Sequence, residues 1–171
     1  MLFIAKKLTG ILLISLIYVM SCSSHKTINV GETYSRLKPA APLPELLVQK
    51  QPANLIIDIG NVADMSNSYK NRLKVYVNDC VIRPDEESNV KSRYYFALSM
   101  QPGFYDVKAV YYASTGWMEK KFDIVPKDRV MVFADKQTVL KVNLRKDSWG
   151  APVDKVTHFD MSVNPIQSAN K

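Results

Sequence analysis

The middle of the chain alternates apolar and polar side chains with a period of two, which is typical of β-strands that bury one face. In ANLIIDIGN, for example, Leu55, Ile57 and Ile59 fall on one face of a predicted strand. The pattern recurs in RLKVYVN, RYYFALSM, FYDVKAVYY, WMEKKFDIV, RVMVFA and TVLKVNLRK. Further positions predicted to face inward are Leu73, Val75, Val77, Tyr94, Phe96, Leu98, Met100, Tyr105, Val107, Ala109, Tyr111, Leu140, Val142 and Leu144.

Turn signals separate these segments. Asn78-Asp79 predicts a two-residue hairpin loop, because both residue types tolerate positive backbone φ angles. In Gln101-Pro102-Gly103-Phe104, proline and glycine occupy the corners of a type II turn. Another turn is expected from Ala113 to Gly116. Short strands spaced in this way predict an all-β protein with a single antiparallel β-sandwich of about seven or eight strands over residues 53–147.

Two stretches resemble a known type of envelope module. LKVYVND followed by YYFALSMQPGFYDVKAVY resembles the small bacterial PEGA-type domains and, more broadly, transthyretin-like and immunoglobulin-like sandwiches. The resemblance covers residues 55–146. Asp79 stands where the PEGA pattern has a glycine, and the segment from Pro84 to Arg93 is longer and more charged than in that pattern. The resemblance implies an immunoglobulin-like sandwich that serves as a binding or spacing module, since such folds host unrelated functions.

The start of the chain has the plan of a secretory signal peptide over residues 1–21. Lys6 and Lys7 precede an uncharged apolar run, Ile11 to Met20, which is shorter than the roughly 20 residues of a membrane-spanning helix. The sequence VMSC, which overlaps the end of this run and ends at Cys22, resembles the bacterial lipobox. This resemblance implies cleavage before Cys22 and diacylglycerol on its sulfur. The alternative is ordinary secretion, which leaves Cys22 as a free thiol.

Acylation of Cys22 would hold the protein on a membrane, because each buried methylene contributes about 0.8 kcal/mol. In enteric bacterial lipoproteins, serine rather than aspartate after this cysteine favours the outer membrane, so with Ser23 the resemblance implies the outer membrane, facing the periplasm or the cell surface. Residues 22–52 are polar and then proline-rich, and this composition predicts an extended tether. Its apolar residues are expected to dock on the protein's own core or on a partner; they are Leu43, Leu46, Leu47 and Val48.

A C-terminal extension follows the predicted sandwich over residues 148–171. It contains one further apolar alternation, Val156 to Val163, which predicts either an edge strand or an arm that a partner binds. The last residues, Gln167 to Lys171, are expected to be disordered.

Net charge bears on the class of partner, and cysteine content bears on disulfide formation. Removal of residues 1–21 takes away two of the 23 basic residues and none of the 16 acidic ones, so the mature chain carries a formal net charge of +5. The basic residues are scattered, which indicates solvated strand faces, and we expect no nucleic-acid partner. Cys80 is the one cysteine left in the predicted domain, so an internal disulfide is not expected once Cys22 is acylated. Its expected role is that of a small apolar core residue.

The sequence does not predict an enzyme. It lacks the HExxH and GxSxG motifs and a glycine-rich phosphate loop. Cys80 and His158 would make a nucleophile and base only if the fold brought them together. The acidic run Asp85-Glu86-Glu87 lacks the spacing and glycine of a calcium loop and is expected to be solvated. We therefore expect no catalytic residues, no metal and no cofactor.

Aromatic residues at predicted outward or turn positions are candidate contacts for a ligand or partner. Trp117, beside Gly116, and Trp149, in DSWGAP, are predicted to be on the surface, and Tyr112 is predicted to point outward. The other aromatics of this kind are Tyr76, Tyr95 and Phe104. A shift of one residue in strand register would turn the strand aromatics into the core.

These observations lead to two hypotheses. The first is a non-enzymatic, lipid-anchored envelope protein whose sandwich binds another envelope protein or acts as a structural module. The second is a protein that binds a glycan or cell-wall polymer through exposed aromatic and basic residues. A protein partner predicts an apolar patch or an open strand edge, whereas a glycan predicts Trp117 and Trp149 in one groove.

Overall fold

The computed structural model describes residues 25–43, 50, 52–62, 72–83, 93–115, 118–148 and 152–166, and most of these residues are in β-strands. The prediction of an all-β protein is confirmed. One 3₁₀ turn and one short helix accompany the strands described here. In chain order the elements are β1 Thr27–Asn29, the 3₁₀ turn Val30–Glu32, α1 Thr33–Arg36, β2 Ala41–Pro42, β3 Leu55–Gly60, β4 Arg72–Val77, β5 Cys80–Arg83, β6 Arg93–Leu98, β7 Gly103–Tyr105, β8 Val107–Thr115, β9 Met118–Pro126, β10 Val130–Val132, β11 Lys136–Asn143 and β12 Val156–Pro165.

Nine strands form one sheet, in the order β1-β5-β4-β8-β9-β12-β11-β3-β6, and a small second sheet has the order β10-β7-β2. Within the large sheet, the strand β12 pairs with different neighbours along its length. Residues Val156–Phe159 pair with β9, and Asp160–Pro165 pair with β11. β12 therefore divides the sheet into two arms, and one hydrophobic cluster contains buried residues from both.

The prediction of antiparallel pairing throughout is wrong. The pairs β1–β5, β3–β11 and β9–β12 are parallel, and the remaining pairs are antiparallel. The period of two reports which face each side chain occupies, and it is the same for both strand directions. Direction depends on how distant segments meet, and β3 and β11 are separated by seven strands in the chain. The sheet is therefore mixed.

The predicted register is confirmed. Leu55, Ile57 and Ile59 are fully buried, and Lys141, Asn143 and Arg145 are exposed on β11 and just after it. Of the other positions predicted to face inward, Leu73 and Tyr94 are partly buried and pack against the core, and the rest are buried. Alternation alone therefore identified one wall of the core.

Two of the three predicted turns contain positive φ angles, whereas residues 113–115 of the third belong to β8, where Thr115 pairs with Met118 of β9. Asn78 and Asp79 have φ values of 45° and 61°, so the two-residue hairpin between β4 and β5 is confirmed. Gly103 has φ +148° and begins β7, whereas the second corner of a type II turn has φ near +80°. Its conformation still favours glycine, because L-residues rarely adopt this φ.

Part of the segment predicted as a tether packs against the sheet. Ile28 in β1 and Leu37 after α1 are 1% and 2% exposed and belong to the core. The hydroxyl of Thr33 donates a hydrogen bond to the carbonyl of Ser99, 2.8 Å away. This arrangement differs from an extended spacer, because β1 pairs with β5 and the residues that follow hydrogen-bond to the domain. Of the tether's apolar residues, Leu43 is half-buried, and Leu46, Leu47 and Val48 lie outside the described residues.

Gly103 allows β2 to approach β7, and this gives a test of the packing. An added Cβ would lie 2.5 Å from the carbonyl oxygen of Ala41 and 2.5 Å from Cβ of Pro39. We expect Gly103→Ala to lower the free energy of unfolding by about 1–3 kcal/mol, because both backbone strain and this clash are introduced. Amide exchange at Ala40, whose N–H donates to the carbonyl of Phe104, should become faster.

Gly31→Ala is the matched control, because nothing lies within 4 Å of the Cβ that it adds. Urea unfolding and amide hydrogen exchange measure the two effects. Unchanged stability and unchanged exchange in Gly103→Ala would show that β2 does not pack on β7 in this way.

Candidate interaction surface

The direction of the peptide groups in β12 follows from its neighbour β11. The N–H of Thr138 donates to the carbonyl of Asn54, 2.9 Å away, so alternate peptide groups of β11, beginning at Thr138, face β3. The groups between them face β12, where Val139 lies opposite Ser162. The peptide groups of Asp160, Ser162 and Asn164 in β12 are therefore hydrogen-bonded to β11.

The odd-numbered residues of β12 direct their peptide N–H and C=O groups to the opposite edge of the strand. The N–H of Asp123 in β9 donates to the carbonyl of Lys155, 3.1 Å away, so odd-numbered residues at this end of β12 direct their peptide groups toward β9. Met161 and Val163 continue that alternation. Because β9 ends at Pro126, its pairing stops opposite Phe159. Among the described residues, no strand pairs with the N–H and C=O groups of Met161 and Val163.

The side chains along this edge are apolar and uncovered. Met161 and Val163 lie opposite Leu140 and Thr138, both fully buried, and directly opposed residues share a face of the sheet. Met161 and Val163 are nevertheless 43% and 44% exposed. They extend the core-facing side of the sheet beyond the part that the core covers. We call Asp160–Pro165 the β12 edge; all six residues are exposed.

The other edge of the same arm is different. β6 ends the sheet, but its inward side chains Phe96 and Leu98 are 3% and 0% exposed. On its outer face the guanidinium of Arg93 donates to the carboxylate of Asp58, with Nη2 2.7 Å from Oδ2. This hydrogen bond raises the pKa of Arg93. The inward side chains of β6 are already covered, whereas Met161 and Val163 are exposed, so a partner strand would bury more apolar surface at the β12 edge.

Tyr112 lies on the outer face of the other arm, in the register that the sequence predicts. The guanidinium of Arg72 lies over its ring, 4.5 Å from the centroid, and also donates to both carboxylate oxygens of Glu119. Lys74 lies 5.9 Å from the same ring centroid. Burial and, secondly, the neighbouring Tyr112 raise the pKa of Tyr76. Arg72, Lys74 and Tyr112 therefore lie together, and we call these three residues the basic tyrosine face. Arg72 covers one side of the Tyr112 ring.

The remaining predicted site residues are placed as follows. Cys22, Trp117 and Trp149 lie outside the described residues, as does the acidic run 85–87. Cys80 is half-buried in β5 and His158 is in β12, with β4, β8 and β9 between these strands in the sheet. Measured along the sheet, four strand spacings of about 4.8 Å each lie between β5 and β12.

The sequence pattern identified the strand that carries the β12 edge but not the edge itself. The alternation from Val156 to Val163 predicted an edge strand or an arm. β12 instead has β9 and β11 as neighbours on opposite edges, with each covering only part of its length. Met161 and Val163 have the same alternation as the core strands, so sequence alone could not separate them from buried positions.

No family model, no curated protein and no solved structure matches the chain. Within the part of the chain that the structure describes, no group of three or more His, Cys, Asp or Glu residues is arranged to hold a metal ion. None of the helices described is long and apolar enough to cross a membrane.

Proposed function

We propose that the protein is a non-enzymatic, lipid-anchored envelope protein whose β-domain binds another protein through the β12 edge. The observation that carries this proposal is the coincidence of two properties at Met161 and Val163. Their peptide groups face an edge with no described strand, and their apolar side chains are about half exposed. A strand from a partner would pair with these peptide groups and cover these side chains.

We propose the cellular location of the protein from its first residues. Two lysines and an apolar run precede the sequence VMSC, which ends at Cys22, and lipidation of Cys22 would attach the chain to a membrane. Ile28, a core residue, follows six residues later, a span of at most about 21 Å when fully extended. An acylated Cys22 would thus keep the domain close to the bilayer. The proposed site is the outer membrane, facing the periplasm or the surface.

The finer fold class that we propose is an immunoglobulin-like sandwich. Tyr105 supports this class, because its hydroxyl donates to the carbonyl of Gln101, four residues upstream and 2.7 Å away. This is the geometry of a tyrosine corner, a feature of Greek-key sandwiches. Burial raises the pKa of Tyr105. The division of β12 between two arms also supports two packed layers.

A glycan or cell-wall polymer is the second candidate ligand. The basic tyrosine face supports it, since Arg72, Lys74 and Tyr112 lie together on the outer surface. Arg72 already covers one side of the Tyr112 ring, however, and stacking on a sugar requires an accessible ring face. The β12 edge therefore remains the primary proposal.

Photo-crosslinking in intact cells tests the proposed function. A photoreactive phenylalanine derivative in place of Val163 should give a discrete protein adduct, because this side chain would lie at the interface. The matched control carries the same derivative in place of Asn143, an exposed residue of β11 on the other face of the sheet. Equal adducts from both positions, or none from Val163, would contradict protein binding at the β12 edge. Glycan fragments recovered in the absence of protein would favour the second candidate.

A further inference from the structure

We propose that the outer face of the arm that contains β1 binds the anionic, phosphate-bearing headgroups of the membrane in which Cys22 is anchored. This inference rests on the proposed function, because lipidation of Cys22 determines which surface the domain meets. It adds a second contact with the bilayer and therefore an orientation of the domain on it.

Positive charge is concentrated on this outer face. Lys74 lies opposite Val110 and Tyr76 lies opposite Lys108, and directly opposed residues share a face of the sheet. The same alternation along β5, β4, β8 and β9 places five basic and two acidic residues on the outer face, a formal excess of three positive charges. The basic residues are Arg72, Lys74, Arg83, Lys108 and Lys121, and the acidic residues are Glu119 and Asp123. We call the five basic residues, with Tyr76 and Tyr112, the basic sheet face.

Both acidic residues already have basic partners. Glu119 accepts hydrogen bonds from Arg72, and a carboxylate oxygen of Asp123 lies 3.2 Å from Nζ of Lys108. Two of the five basic residues differ, because no carboxylate in the described part of the chain lies within 4 Å of Lys74 or Arg83. A phosphate group would therefore meet positive charge that the protein does not neutralise.

The outer face of the other arm has no such excess. Its charged residues in β6, β3, β11 and the β12 edge are Arg93, Asp58, Lys141 and Asp160. Arg93 donates to the carboxylate of Asp58, and Lys141 lies opposite Asp160. These charges sum to zero, so an anionic surface would attract the arm that contains β1 more strongly than the other arm.

The chain meets the basic sheet face close to the predicted anchor. The ring of His25 contacts the ring of Tyr76 edge-on, with the centroids 5.1 Å apart. Cys22 is three residues before His25, a span of at most about 11 Å when fully extended. Acyl chains inserted in the bilayer would thus bring this face within reach of the headgroups. Tyr76 and Tyr112, both half-buried, are compatible with that position, because tyrosine is enriched at membrane–water interfaces.

Vesicle co-sedimentation of the mature chain with Cys22→Ala tests the headgroup contact in the absence of acyl chains. At low salt this chain should bind vesicles of phosphatidylcholine and phosphatidylglycerol in equal amounts, and it should not bind vesicles of phosphatidylcholine alone. High salt should abolish the binding, because it screens the charges. Lys74→Gln combined with Arg83→Gln should lower the affinity for the anionic vesicles at least about tenfold.

Lys136→Gln combined with Lys141→Gln is the matched control. Both residues are exposed on β11 in the other arm, and the control removes the same charge as the first double variant. Its affinity for the anionic vesicles should fall less than about threefold, because these lysines would lie away from the headgroups and be screened.

Absence of binding to the anionic vesicles, or equal losses in the two double variants, would overturn headgroup binding by the basic sheet face. Binding to a soluble anionic polysaccharide, with none to vesicles, would also overturn it and would favour the glycan candidate. Acylation of Cys22 is measured separately by a fatty-acid label, and the β12 edge by crosslinking from Val163. Failure of headgroup binding is therefore distinguishable from failure of the proposed function.

Discussion

Asn54→Ala is expected to lower the free energy of unfolding by about 3 to 4 kcal/mol, a large effect for one side chain. Asn54 is fully buried immediately before β3. Its side chain accepts a hydrogen bond from the N–H of Met100 at 2.8 Å and donates to the carbonyls of Met100 and Phe133 at 3.0 and 2.9 Å. Alanine would leave one donor and two acceptors without these partners.

The position of Asn54 explains why the cost should extend beyond one contact. Its backbone N–H donates to Leu98, and its carbonyl accepts from Thr138. One residue therefore connects the end of β6, the start of β11 and the two loops that contain Met100 and Phe133. Buried polar networks with every group satisfied are costly to break, because the low dielectric strengthens each hydrogen bond and penalises each unpaired group.

Urea unfolding of the purified protein measures this prediction. Asn143→Ala is the matched control, because Asn143 is exposed on β11, and substitutions at such positions usually change stability by about 0.5 kcal/mol or less. A loss in Asn54→Ala no larger than that of the control would show that the three hydrogen bonds do not stabilise the fold.

The inward faces of the strands were predictable from sequence because they depend on local alternation. Leu55, Ile57 and Ile59 identify their buried face without knowledge of any neighbour, and Asn78-Asp79 identifies its turn in the same way. Strand direction was not predictable. The parallel pairing of β3 with β11 depends on the path of the chain through seven intervening strands, to which a period of two is insensitive.

The candidate site and the N-terminal packing required long-range information. Asn54 resembles any polar residue near a turn, and its partners Met100 and Phe133 are 46 and 79 residues away. Proline content predicted a spacer before the domain, yet Ile28 and Leu37 are core residues. Among the described residues, β9 ends at Pro126 and no strand continues along that edge of β12, whereas the sequence shows only that Val156 to Val163 alternates.

We expect the protein to leave the membrane fraction completely when Cys22 is changed to alanine and residues 1–21 are replaced by a signal peptide that is cleaved without a lipobox. The acyl chains on Cys22 would supply the attachment, and each of their methylenes contributes about 0.8 kcal/mol. Cell fractionation after a high-salt wash measures the change. A fatty-acid label should enter the unaltered protein and be absent from the variant.

Cys80→Ser behind the native residues 1–21 is the matched control, because the chain has two cysteines and this variant keeps Cys22. It should remain membrane-bound and labelled. Retention of washed Cys22→Ala in the membrane, or its labelling, would contradict acylation at Cys22.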